Sequence, residues 1–300
     1  MKKYLDYIKI NKLGVYYIDK MFSDLTTIKI GGKIRLLFYP NSIDSFIKFY
    51  RYYLLYKDYE LIVIGNGSNV LASDNDFDGI VITFKKCLLK YTIINNIVHV
   101  NSGVMINDLI NYLKKKNLGG LEKLYSIPAT IGGMVKMNAG AYHVNISDKL
   151  KKIKCIDNNG YVIEIEKNDI VFDYRRSSIP NQYIILECVF ELEYKSIYEI
   201  NENIKYVKES RLERQPVNEL NAGSTFKNIL PFSSWKLIDK VGMRGFSIND
   251  ACVSEKHCNF LINKNKAKSE EMCRLIELIK EKVKQEFNHE LECEWIFINF

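Results

Sequence analysis

Residues Leu124–Tyr142 read LYSIPATIGGMVKMNAGAY, and the rest of the chain is organised around them. Their apolar residues do not follow helical spacing, and they hold too much glycine for a central strand. Gly119 and Gly120 just upstream, with Gly132, Gly133 and Gly140, make five of the chain's 16 glycines within 22 residues. Such density serves backbone that must take positive φ or approach a ligand closely. Pro128 fixes one turn and removes one donor. Ser126, Thr130 and Asn138 add small polar groups, and Ala129, Ala139 and Ala141 keep the surface low. A loop of this kind presents backbone N–H groups that cradle a phosphate or diphosphate without side-chain charge. A set of tight turns buried against a sheet has the same composition, so this stretch alone supports both readings.

Upstream, Thr26–Gly32 reads as a strand ending in a glycine turn, and Ile34–Tyr39 as a second strand stopped by Pro40. Ser42 is placed to cap a helix through Phe46, Ile47 and Tyr50. The apolar run Glu60–Ile64 is a short buried strand leading into Gly65-Asn66-Gly67-Ser68-Asn69, and Gly79–Phe84 is a further strand. Ile97–Asn101 predicts a strand, and Val104–Lys116 a helix ending at Asn117 and the following glycine pair. Downstream, Lys152–Ile156, Tyr161–Ile165 and Ile184–Glu193 read as strands. Ile197–Gln215 is helical in pattern and Pro216 stops it. A helix over Ser234–Val241 ends at Gly242. Ser269–Phe287 is a long amphipathic helix with a capping signal in Ser269–Met272, and Leu291–Ile298 is a last strand. This order predicts an α+β chain in three lobes: 1–84, 85–208 and 209–300, the final strand returning to the first.

The chain has 300 residues, more than one ordinary core fills. It is 47% hydrophobic and 26% charged, with no apolar run long enough for a membrane span. The basic N-terminus lacks a continuous apolar core, so a secretory signal is not expected. The net charge of +7 comes from scattered lysines and reads as solvated surface, with no basic, aromatic stripe for nucleic acid. Cys87, Cys155, Cys188, Cys252, Cys258, Cys273 and Cys293 are odd in number and irregularly spaced, which fits a reducing compartment and no disulfides. The four histidines have no metal-ligand spacing, so no metal site is expected. Neither a dinucleotide fingerprint nor a P-loop is present.

In order, TTIKIGG, GNGSNVL, SIPATIGGMVKMNAGAY, FDYRRS, RQP, NAGSTFKN, VSEKH and LECE run from Thr26 to Glu294. Together they resemble the UDP-N-acetylenolpyruvoylglucosamine reductase (MurB) family, in its subgroup without an extra tyrosine-bearing loop. The resemblance implies the para-cresol methylhydroxylase-type flavoprotein fold: two mixed α/β lobes holding FAD non-covalently, and a third α/β lobe over the substrate. It implies one diphosphate loop at Gly65, Asn66, Gly67, Ser68 and Asn69. The second, at Ser126, Ile127, Pro128, Thr130, Gly132, Gly133, Asn138, Ala139 and Gly140, also approaches the flavin. It implies Ser224 as proton donor, with Arg175 and Glu294 stabilising an enolate after hydride transfer from the flavin. NADPH is the implied co-substrate and UDP-N-acetylenolpyruvoylglucosamine the substrate, met by Arg211, Lys227, Asn228, Tyr174 and His257. A cytoplasmic, monomeric enzyme is expected.

Several residues depart from the family pattern: Asn66 and Ala129 stand where glycines are usual, Leu220 and Asn221 precede the serine motif, and Cys293 and Trp295 flank Glu294. Read on residues alone, Ser224 is a turn serine, Arg175 a surface arginine and Glu294 a solvated glutamate. A flavin-binding protein without catalysis and a related flavin oxidase are the competing readings.

Overall fold

A computed structural model describes residues 1–85 and 88–300, so Cys87 lies outside the described residues. The described chain divides into two compact units, each made of separate segments. One comprises Met1–Ile18, Leu36–Asn66 and Asp78–Glu209; the other comprises Asp19–Arg35, Gly67–Phe77 and Ser210–Phe300.

The first unit has two cores. In one, helices Lys2–Ile10 and Ile43–Leu54 cover a sheet containing Gly14–Tyr17, residues 36–40, residues 78–82 and Glu60–Val63. Tyr4, Ile8, Phe38, Phe46, Phe49 and Ile80 fill it. Ser42 caps its helix as expected, accepting the Ser45 N–H at 3.0 Å. The other core lies under an antiparallel sheet ordered Val162–Glu166, Leu150–Ile156, Ile184–Glu191, Ile97–Asn101 and Tyr91–Ile94. Helix Ile106–Leu113 and the short helix Ile131–Lys136 bury Leu109, Leu113, Ile131, Met134 and Val135 there, with Val98 and Phe190 from the sheet.

The helix at Ile131–Lys136 corrects the expectation that the glycine stretch contains none. Thr130 is extended and caps it, accepting the Gly133 N–H at 3.4 Å. Three of its six positions are buried apolar residues, enough to hold one and a half turns despite two glycines. Tertiary packing overrides a propensity cost of about 1 kcal/mol per glycine here.

The second unit is built on an antiparallel sheet ordered Leu220–Ser224, Phe260–Asn263, Ala251–Val253 and Ser247–Ile248. Helices Ser234–Lys240 and Ser269–Phe287 bury Leu237, Met272, Ile276 and Ile279 with Phe226, Leu261 and Trp295. The long helix starts at Ser269 as expected, but Lys268 is its cap residue: its N–H is accepted by Glu271 at 2.9 Å. Thr26–Gly32 is not a strand. Lys29 takes φ 61°, the Thr26 hydroxyl donates to the Ile30 carbonyl at 3.0 Å, and Ile28 and Ile30 turn into the core. Only Ile296–Ile298 of the last segment is a strand, parallel to Val70–Ala72. Among the described residues, no helix is long and apolar enough to cross a membrane. No group of His, Cys, Asp or Glu among them is placed to hold a metal.

Candidate active site

In the first unit, strand Glu60–Val63 runs parallel to its neighbour and delivers Gly65 and Asn66 at its C-terminal end. They meet the glycine stretch directly. The Asn66 amide donates to the Pro128 carbonyl at 2.6 Å. A Cβ on Gly65 would lie 2.5 Å from the Thr130 hydroxyl, so only glycine fits against the second loop. That loop is held by backbone: Ile106 N–H to Ala129 at 3.1 Å, Ile131 N–H to Val104 at 2.8 Å, and Gly132 N–H to Ser102 at 2.9 Å. Ser126 and Asn138 take φ of 70° and 44°. The Ser126 N–H is satisfied by the Asn107 carboxamide at 2.8 Å.

Asn138 is buried and its amide donates to the Asp173 carbonyl at 2.9 Å, while its Oδ1 has no hydrogen-bond partner. A buried acceptor left open beside two converging turns fits a polar ligand, and the close-packed glycines fit a flavin dinucleotide.

Asp173 opens a hairpin in which Phe172–Asp173 pairs with Arg176–Ser177 across a turn of Tyr174 and Arg175. The two arginines are not equivalent. Arg176 is exposed; Arg175 is half-buried, at φ 54°, and its Nη2 donates to the Gly140 carbonyl at 2.8 Å. Its guanidinium carbon also lies 5.0 Å from the centre of the Tyr174 ring.

The remaining residues singled out from the sequence lie in the second unit. Gly67 takes φ 64°, and a Cβ on it would strike the Leu25 carbonyl. Asn69 bonds through its amide to the Glu294 carbonyl at 2.9 Å, and its own carbonyl accepts the Ile296 N–H at 2.9 Å. Ser224 pairs with Phe260 after a register shift, where Gly223 takes φ 77°. The Glu294 N–H donates to the Thr225 carbonyl at 2.8 Å. Ser224 and Glu294 therefore lie on adjoining, hydrogen-bonded segments. Asn259 locks this turn, its carboxamide bonding both the N–H and the carbonyl of Phe226 at 2.9 and 2.8 Å. The Thr225 hydroxyl and the Trp295 indole N–H, next to the two candidates, are buried without hydrogen-bond partners.

The expected substrate residues have varied surroundings. Arg211 is half-buried near the end of helix Ile197–Arg214, whereas Arg214 is exposed. Lys227 is ion-paired with Glu292. The Asn228 carboxamide accepts the Ser234 N–H at 3.0 Å. The His257 ring centre lies 5.9 Å from Trp235 and 4.9 Å from Phe260, and its Nδ1 accepts the Asn259 N–H at 3.3 Å. Burial, helped by the Arg244 charge, pushes the His257 pKa down to about 4.

That depression sets a pH dependence. Unfolded histidine titrates near pH 6.5, so on acidification the unfolded chain takes up the proton first. The contribution of this group is complete above that value and is lost as pH falls from about 6.5 toward 4. Urea unfolding at pH 7 and pH 5 should show about 2 kcal/mol of loss from this group, and His257→Gln should remove that part of the slope. The six described cysteines are free. Burial pushes the Cys155, Cys258 and Cys293 thiols up to about 11, which keeps them protonated and unreactive.

Residues 34–166 match the FAD binding domain family. With the paired glycine turns, this defines a flavoprotein oxidoreductase of the para-cresol methylhydroxylase-type fold. Residues 215–298 match the C-terminal domain of UDP-N-acetylenolpyruvoylglucosamine reductase. The chain is 36% identical to that reductase from Clostridium novyi, covering 96% of this chain and 95% of the relative. It is 33% identical to the Clostridium tetani reductase over 99% and 98%. The crystal structure of the Thermus caldophilus reductase (MurB) superposes with a TM-score of 0.80 at 26% identity, covering 95% of this chain and 98% of that one. The chain belongs to the UDP-N-acetylenolpyruvoylglucosamine reductase family.

Proposed function

We propose that this chain reduces UDP-N-acetylenolpyruvoylglucosamine to UDP-N-acetylmuramate with NADPH, using non-covalent FAD, in cytoplasmic synthesis of peptidoglycan precursors. One observation carries the reading beyond family membership. Two of the three proposed catalytic residues are tied to loops assigned to the flavin, Arg175 to Gly140 and Glu294 to Asn69.

The amides of Gly65–Asn69 and of Ser126–Gly140 would hold the diphosphate and flavin ring, with residues 1–84 and 85–208 contributing the two cofactor lobes. Bound there, FAD would supply the hydride-transfer chemistry that links NADPH to the methylene carbon of the enol ether. Arg175 presents a planar fork to the enolpyruvyl carboxylate and stabilises the charge that grows there as the enolate forms. Glu294 shares that stabilisation, its carboxyl neutralised by a proton or by the guanidinium. The Ser224 hydroxyl delivers the proton to the carbon bearing the ether oxygen. Hydride and proton together convert the vinyl ether to a lactyl ether, and NADPH leaves as NADP. A serine hydroxyl is a feeble acid, so it serves only a strongly basic partner such as this enolate. Residues 209–300 would receive the sugar nucleotide, with Arg211 on its diphosphate and Lys227, Asn228, Tyr174 and His257 around it.

An anaerobic spectrum tests this. The yellow protein should bleach with NADPH and regain colour on adding the enolpyruvyl sugar nucleotide. Bleaching with no recovery would favour a flavin-binding protein without the reductase step. Recovery only on admitting oxygen would favour an oxidase.

A further inference from the structure

The hairpin that carries Arg175 is fastened to the glycine stretch by more than the arginine itself. Lys136, the last residue of the short helix, donates from Nζ to the Ile179 carbonyl at 2.6 Å and to the Pro180 carbonyl at 2.9 Å. Its own carbonyl accepts the Ser177 hydroxyl at 2.7 Å. Two residues on, Asn138 donates to the Asp173 carbonyl at 2.9 Å. Residues 136–140 thus grip both strands of the hairpin and the segment leaving it. The Lys136 ammonium is half-buried, and burial lowers its pKa from the usual lysine range. Carbonyl dipoles have replaced part of its water, and a group that exchanges water for fixed acceptors holds its geometry tightly.

We propose that Lys136 is a positioning residue for Arg175, clasping the Tyr174–Arg175 turn to the glycine-rich loop so that this loop also sets the direction of the arginine fork. Lys136 acts through carbonyls and does not touch substrate. Lys136 is the single charged side chain between Ile127 and Ala141, and it adds to the grip of Asn138 on Asp173 from the other end of the hairpin. A bidentate fork loses its match to a carboxylate with a displacement of about 1 Å, which costs up to about 100-fold in rate. The inference rests on the reading of Arg175 as the carboxylate-binding group.

The test compares Lys136→Met, which keeps the aliphatic stem, with Lys136→Arg, which restores donors. Both are studied as full-length, FAD-loaded protein. Lys136→Met should keep its flavin and bleach with NADPH at the wild-type rate. Its limiting rate of reoxidation by UDP-N-acetylenolpyruvoylglucosamine should fall about tenfold or more, with a smaller change in the substrate concentration at half-saturation. Amide hydrogen exchange should quicken in residues 172–178 and not elsewhere. Lys136→Arg should recover most of both effects.

Wild-type reoxidation in Lys136→Met, with Arg175→Ala slow, overturns the inference alone. Equal slowing in Lys136→Arg and Lys136→Met also overturns it. Fast reoxidation in Arg175→Ala overturns the underlying reading and the inference with it. If Lys136→Met does not accumulate folded, Lys136→Gln, whose amide falls short of the Ile179 and Pro180 carbonyls, takes its place. Slowed reoxidation with faster exchange in that variant supports the clasp, and wild-type behaviour in both measurements overturns it.

Discussion

Replacing Ser224 by alanine should leave a yellow, folded protein that NADPH bleaches normally and that the enolpyruvyl substrate reoxidises at least about 100-fold more slowly. The magnitude is that of removing a positioned proton donor, about 2.7 kcal/mol or more of transition-state free energy. The effect should fall on that half-reaction because the hydroxyl takes no part in building the turn. Among the described residues, the bonds that hold this segment run from the Thr225 backbone and the Asn259 carboxamide, and none uses the Ser224 hydroxyl. Ser224 is also only half-buried, so losing its oxygen opens little cavity. Stopped-flow absorbance separates the two half-reactions. Wild-type reoxidation in this variant would remove Ser224 from the reaction and leave it a turn residue beside Gly223.

Much of the second unit's local structure was readable because it follows from neighbours in the chain. The helix Ser269–Phe287 shows its apolar stripe, and Glu271 reaches back to its start. The two glycine-rich stretches stood out by their glycine density, and the structure gives a reason for it: a Cβ on Gly65 or Gly67 in the first, or on Gly132 in the second, would strike another segment. The short helix at Ile131–Lys136 was hidden by its own glycines. Its support comes from Val104 and Ser102, which accept the Ile131 and Gly132 N–H groups, and no periodicity in a six-residue segment reports such partners.

Long-range pairing was legible only coarsely. The last strand was expected to return to residues 1–84, and Ile296–Ile298 does pair with Val70–Ala72, but both are short apolar runs and neither specifies the register. Arg175 was distinguishable from Arg176 only by resemblance. The structure adds a physical difference, because the turn leaves one arginine half-buried against Gly140 and the other exposed. Lys136 gave a signal that went unused: a single charged side chain in an otherwise uncharged glycine loop needs acceptors wherever it is half-buried.

Arg175→Ala should have a comparable effect by a different route. The half-reaction with NADPH should proceed at the wild-type rate, while reoxidation by the enolpyruvyl substrate falls about 100- to 1,000-fold, the range seen when one preorganised oxyanion donor is removed. Some stability should be lost with it. Arginine and alanine meet the same steric cost at φ 54°, but the hydrogen bond to Gly140 and the contact with the Tyr174 ring go with the side chain, the hydrogen bond alone worth about 1.5–3 kcal/mol at most. Arg175→Lys distinguishes charge from shape. Lysine keeps the positive charge but presents a point donor where the carboxylate needs two parallel ones, so it should recover part of the binding and little of the rate. If the arginine served only to hold the hairpin, Lys and Ala would both loosen the loop, and flavin affinity would fall with the rate. If it acts on the substrate carboxylate, flavin content stays constant across the series and only the reoxidation rate and substrate saturation move. Flavin-to-protein absorbance ratios, measured beside single-turnover reoxidation, decide between these outcomes.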